Sequence, residues 1–193
     1  RSPMAEILRD WMPAMLSGAI TAGVAPLLFV QILYQEAFYT SNLLLLHRWM
    51  SILPVLIVGF YLLYLLKADR LANASVFWRG LVAMLAFGCF AHVAVAWTEN
   101  HLLGLQDAET HAAMFGQSAT RYAGTDVWPR LLLWATGSIA TMALLVSWQL
   151  WYAQRYRDIP ASEARRGGAM IVVSLLLALL CGYWLYHSAD PSV

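Results

Sequence analysis

From Leu43 to Leu66 the chain reads LLLLHRWMSILPVLIVGFYLLYLL. Beyond Arg48 no acidic or basic residue interrupts it. A helix rises 1.5 Å per residue, so a run of this length crosses the roughly 30 Å hydrocarbon core of a bilayer. Four more stretches have the same character: Trp11 to Tyr34, Phe77 to Trp97, Pro129 to Tyr152 and Met170 to Tyr186. The fold class that follows is an all-α integral membrane protein. It has five transmembrane helices in a single helical domain over residues 1–193. Gly18, Gly23 and Pro26 suit a packed membrane helix better than a uniform leader core, so the first stretch reads as a span.

Composition agrees with this reading. Of the 193 residues, 61% are apolar and 12% charged, with a mean hydropathy of +0.60. Soluble domains hold about 45–50% apolar and about 25% charged residues. A net charge of +1 with no basic run leaves nothing to hold a phosphate backbone, so nucleic acid is excluded as a partner. The only two cysteines, Cys89 and Cys181, fall in different spans and read as small buried side chains. There is no C-x-x-C-H for covalent haem, and no H-E-x-x-H, G-x-S-x-G or phosphate loop.

Lys and Arg collect on the cytoplasmic side of membrane proteins. Arg1 and Arg9 precede the first span; Lys67, Arg70 and Arg79 flank the second connection; Arg155, Arg157, Arg165 and Arg166 flank the fourth. The other side holds only Arg48, Arg121 and Arg130. This pattern predicts a cytoplasmic N-terminus and an outside C-terminus in a cytoplasmic (inner) membrane. Trp11, Trp78, Trp148 and Trp151 would mark the inner interface, and Trp49, Trp97, Trp128, Trp134 and Trp184 the outer one. Ala19-x3-Gly23, Gly137-x3-Thr141 and Ala178-x3-Gly182 are small-residue faces suited to close helix packing.

In that orientation all five histidines lie on the outer side. His47 and His92 fall within neighbouring spans at similar expected depths, where an ionisable group usually faces a partner or a cavity. They are a candidate axial pair for a b-type haem. His187 and Met50 are alternative ligands, and Arg48 is placed to meet a propionate. Glu99, on the face of His92, would orient an imidazole, carry protons or meet a quinol. Pro26 and Pro54 would free the carbonyls of Ala22 and Met50 and widen the space near His47. Glu36, among Gln31, Tyr34, Gln35 and Tyr39, is a candidate for a quinone head-group site.

Residues 99–128 form the long outer connection. His101 to Phe115, HLLGLQDAETHAAMF, predicts a short amphipathic surface helix, followed by an irregular GQSATRYAGTD segment in which Asp126 caps the fourth helix. His101, Asp107 and His111 are a candidate copper or zinc site on that helix. Together these residues point to a membrane subunit of a respiratory or electron-transfer complex. It would use haem b, quinone or both near the outer leaflet, among membrane lipids, other subunits and an outer-side cytochrome. The alternative is a cofactor-free anchor or scaffold subunit; a third reading is a small metal-binding or transport protein.

Overall fold

The computed structural model describes residues 3–68, 71, 74–117, 120–153 and 160–188. They form α1 (Pro3–Leu33), α2 (Gln35–Leu44), α3 (Leu46–Lys67), α4 (Val76–Leu103), α5 (Ala108–Gly116), α6 (Val127–Ala153) and α7 (Ala161–Ser188). Among the described residues there is no strand. The five stretches read from the sequence correspond to α1, α3, α4, α6 and α7, each long and apolar enough to cross a membrane. This is the architecture of a multi-pass membrane protein. In hydrocarbon every backbone N–H and C=O must be paired within its own segment, which a helix achieves. Large apolar side chains such as Tyr61, Leu179 and Leu33 stand exposed on these helices, as lipid-facing surfaces require. Arg1, Arg70, Arg155 and Arg157, which carry part of the orientation argument, lie outside the described residues.

Two helix ends depart from expectation in ways that matter for the site. Helix α4 runs past Trp97 to Leu103, because Thr98, Glu99 and Asn100 are buried there. The stretch before α3, expected as a connection, is the separate helix α2. Helical hydrogen bonding continues through both junctions: Tyr34 N donates to Val30 O and Phe38 N to Tyr34 O, each at 2.9 Å. Leu45 N donates to Ser41 O and Trp49 N to Leu45 O, at 3.0 and 2.9 Å. Leu45, non-helical between α2 and α3, packs its buried side chain with Leu103 and Met114. Of the stretch from His101 to Phe115, expected as one short helix, His101 to Leu103 belong to α4 and Ala108 to Phe115 to α5.

The chain groups into two compact units where the sequence reads as one domain: residues 1–11 with 125–193, and residues 12–124. In the first, α6 packs on α7, and Met4 is buried against Val146 and Leu150. A Cβ at Gly167 would collide with Ser147 Oγ, so glycine permits that approach. Asp126 precedes α6, its carboxylate 3.4 Å from Arg130 Nε. Of the three expected small-residue faces, a Cβ at Gly182 would lie 4.0 Å from Leu133 Cδ1 in this unit, while one at Gly137 would meet nothing within 4 Å.

In the second unit α3 packs on α4, and the closest approach uses a glycine that belongs to none of those faces. A Cβ at Gly59 would sit 3.2 Å from Cys89 Cβ and from the Phe90 ring. Gly23 meets nothing within 4 Å. The pairs Asn42–Asn100, Arg48–Glu99, Trp49–Trp97 and Ser51–His92 follow in antiparallel order. They gather most of the chemistry-bearing residues of this unit at one end, where α2 meets α3 and α4 gives way to α5.

Candidate functional site

Glu99 is the centre of charge at this end. Its side chain is 2% exposed, and one carboxylate answers two arginines. Arg48 Nε lies 2.8 Å from Oε2, and Arg121 Nη2 donates to Oε1 at 3.2 Å. Arg48 is 19% exposed and Arg121 58% exposed. The Arg48 Nε–H is not directed at Oε2, so that contact is Coulombic, and both atoms are buried without a directed hydrogen bond among the described residues. Removing an ionised carboxylate from water is costly unless a counter-charge is close. Arg48 supplies it from α3, and Arg121 supplies it from the segment after α5.

Beside the cluster lies a hollow of about 370 Å³. Tyr34, Phe38, Trp49 and Trp97 give it aromatic walls, and Asn100 and His101 bring polar groups to it. Phe38 meets Trp49 edge-on at 6.1 Å, and the Trp49 and Trp97 rings are 5.7 Å apart and tilted by 38°. Gly23, Pro26, Leu27 and Val30 of α1 also line the hollow. Such an apolar hollow with a few polar groups is the usual form of a small-molecule site. Asn100 is 4% exposed; its Nδ2 donates to Asn42 Oδ1 at 2.8 Å, and its own Oδ1 is buried without a partner among the described residues.

No family model matches this chain, and no curated protein or solved structure is significantly similar to it. The functional reading therefore rests on the residues themselves.

The proposed haem ligands are not brought together. His92 Nε2 lies 2.8 Å from Ser51 Oγ, and that hydroxyl donates its only hydrogen to Arg48 O at 2.7 Å. The contact ties that ring nitrogen to α3. His47 is exposed and stands one turn before Ser51 on α3, about 6 Å away along the axis. It lines a different hollow of about 300 Å³ with Leu43 to Leu46, Met114, Phe115 and Thr120. In the α3–α4 register His92 is level with Ser51 rather than with His47. The residues present do not fit an axial pair. Met50 is exposed on α3, and His187 stacks edge-on with Tyr183 and Tyr186, its ring 4.4 and 5.3 Å from theirs, in the other unit.

The proposed metal ligands are separated as well. Among the described residues no group of three or more His, Cys, Asp or Glu is arranged to hold a metal ion. Asp107 caps α5, accepting the Thr110 backbone N–H at 2.8 Å. That hydrogen bond, with help from the Thr110 side chain, lowers the carboxyl pKa below its ordinary 3.8. His111 Nε2 donates to Leu103 O at 2.8 Å, and His101 lines the aromatic hollow.

Of the group around Glu36, Tyr34 lines the hollow and Gln31 donates to the Tyr39 hydroxyl at 2.6 Å. Glu36 itself is exposed in the first turn of α2 and is not part of the lining. Asn42, Asn100 and Ser51 escaped sequence reading. The available signal was a pair of amides, one just before the second apolar stretch and one just after the third.

Proposed function

We propose that this chain is a membrane subunit of an electron-transfer complex that holds the ring of an isoprenoid quinone at the hollow between α1, α2, α3 and α4. The observation that carries the reading is the hollow itself: about 370 Å³, walled by Tyr34, Phe38, Trp49 and Trp97, with Asn100 and His101 among its lining residues. A quinone ring is flat and apolar on its faces, and it forms hydrogen bonds only at its two oxygens. Trp49, Trp97, Phe38 and Tyr34 suit the faces by offset or edge-on stacking, and the Tyr34 hydroxyl and the indole N–H groups are donors of the kind its oxygens accept from. About 370 Å³ admits a ring with its small substituents. The isoprenoid tail would run out along the apolar helix faces into lipid.

His101, next to Asn100 and lining the same hollow, is the group that would take a proton when the ring is oxidised. The Arg48–Glu99–Arg121 cluster holds α3, α4 and the segment after α5 around the ring. The distribution of Lys and Arg supports placing this end at the outer leaflet of the inner membrane. A redox subunit on that side, such as a cytochrome, would receive the electrons.

The test is a titration of the purified chain in micelles with a short-tailed benzoquinone, followed by tryptophan fluorescence. Saturable quenching that weakens in Trp97→Phe and Trp49→Phe, the two indoles at the hollow, supports the reading. Linear, unsaturable quenching overturns it and leaves a cofactor-free anchoring subunit.

A further inference from the structure

We propose that the hollow holds more than the quinone ring: the first isoprenoid unit of the tail lies along α1, and Gly23 is the residue that leaves room for it. This rests on the quinone reading above and deepens it by naming a tail subsite.

Residues three, four and seven apart share one face of a helix. Gly23, Pro26, Leu27 and Val30 have that spacing, and all four line the hollow. From Val30 to Gly23 the strip runs about 10 Å along the helix axis. None of these side chains carries a polar atom, whereas Tyr34, Asn100 and His101 bring polar groups to the lining elsewhere. One hollow therefore combines an aromatic wall bearing polar groups with a purely apolar strip, the division that a ring and its tail require.

The strip borders open space at Gly23. A Cβ added there would meet nothing within 4 Å. Gly104, the other glycine of the lining, is different: its Cβ would lie 3.4 Å from Ser41 Oγ and from His101 O. The space at Gly23 exists because α1 does not pack along α3 or α4 as those two helices pack on each other. Within a bilayer, shape and dispersion contact decide what fills such a slot. An isoprenoid unit tethered to a ring already seated in the hollow is present there at high effective concentration, which favours it over free lipid chains. A larger side chain at position 23 would stand on the face of Leu27 and Val30 and take up the slot. Gly23 is therefore a specificity-determining residue for the tail.

The experiment is the quenching titration of the full chain in micelles with two ligands: a tailless methylated benzoquinone and the same ring carrying one prenyl unit. The quantity read is the tail advantage, the ratio of the two Kd values. It is compared among wild type, Gly23→Leu, Gly23→Ala and Gly18→Leu. Gly18 lies on the same helix, and a Cβ there also meets nothing within 4 Å, but it is outside the lining. Partition of each ligand into the micelle is common to all four proteins, so it cancels in the comparison. Losing the burial of about two carbons corresponds to about tenfold in Kd. The expected result is a tail advantage about tenfold smaller in Gly23→Leu than in wild type, an intermediate value in Gly23→Ala and the wild-type value in Gly18→Leu. The Gly23→Ala value decides the matter even if Gly23→Leu fails to fold. A tail advantage that survives at position 23, that falls equally in Gly18→Leu, or a loss of both ligands together at position 23 overturns the inference while the quinone reading stands. If neither ligand quenches saturably in wild type, both fall.

Discussion

Glu99→Gln removes the charge on which the α3–α4 end depends and keeps the side-chain shape. In the wild type one carboxylate, 2% exposed, faces Arg48 at 2.8 Å and Arg121 at 3.2 Å. The two contacts differ in weight. Arg121 is 58% exposed, so water screens it, and an exposed pair contributes up to about 1 kcal/mol. Arg48 is 19% exposed, so after the substitution its guanidinium remains in a largely dry site without a counter-charge. Breaking one side of a buried pair costs about 3–5 kcal/mol, mostly the penalty on the charge left behind. The expected order is then Glu99→Gln at about 3–5 kcal/mol and Arg121→Gln at about 1 kcal/mol or less. Arg48→Met combined with Glu99→Gln should recover most of the loss, because neither charge remains. Equilibrium unfolding in mixed micelles with increasing dodecyl sulfate measures all three. If the double variant is as unstable as Glu99→Gln alone, the stranded charge is not the cause. If Glu99→Gln is no worse than Arg121→Gln, the cluster carries no more weight than a surface pair.

The same unfolding assay reads two close helix approaches. Gly167→Ala should lose up to about 2 kcal/mol, the clash of its Cβ with Ser147 Oγ being offset by about 1 kcal/mol of helix propensity, and adding Ser147→Ala should restore most of it. Ser147→Ala by itself should cost little, since its hydroxyl is buried without a partner among the described residues; a large loss would show a bond at that oxygen. At Gly59 an added Cβ lies 3.2 Å from Cys89 Cβ and the Phe90 ring. Gly59→Leu should therefore destabilise by about 1–3 kcal/mol, with Gly59→Ala milder because helix propensity offsets about 1 kcal/mol; equal losses would refute the steric account. Asp107 provides a pH test. Its carboxyl pKa is lowered in the folded chain, so its contribution to α5 is complete above the ordinary 3.8 and disappears as pH falls through the lowered value. Protection of the Thr110 amide against hydrogen exchange should fall over that range and become pH-independent in Asp107→Asn; an unchanged profile in that variant would remove the carboxylate from the cap.

The five spans were legible because bilayer thickness is written into sequence as the length of apolar runs. Those runs say much less about what happens at their ends. Helix α4 reads as ending near Trp97 because Thr98, Glu99 and Asn100 are polar. In the structure each is buried with its polar atoms engaged locally, by α2 or by Arg121 after α5, apart from the atoms left over at Arg48, Glu99 and Asn100. That six-residue continuation is why Arg48 and Glu99, singled out separately from sequence, became partners. Helix α2 was unreadable for a related reason. Its QEAFYTSNLL mixes polar and aromatic residues without a sustained apolar run, and it holds its shape through Phe38 and Ser41 packed in the unit. Histidine positions invited a metal reading because imidazole is a familiar ligand, but sequence cannot show that Ser51 and the Leu103 carbonyl already occupy two of those rings.

The arrangement also explains why a polar cluster and an apolar hollow stand side by side. Trp49 follows Arg48 directly, and Trp97 lies two residues before Glu99. The ion pair that draws Arg48 to Glu99 therefore sets the axial register of the two indoles, whose rings meet at 5.7 Å. The Asn42–Asn100 bond fixes a second point, tying α2 to α4 and bringing Phe38 edge-on to Trp49. Two polar rungs thus hold three aromatic walls, and the hollow is preformed to the extent that the rungs are intact. Arg48→Met with Glu99→Gln should separate these roles: stability largely returns, but the register is no longer held by charge, so saturable quenching by the quinone should weaken. Unaltered quenching in that variant would mean that stacking alone positions the indoles, and would leave the ion cluster with a purely structural part.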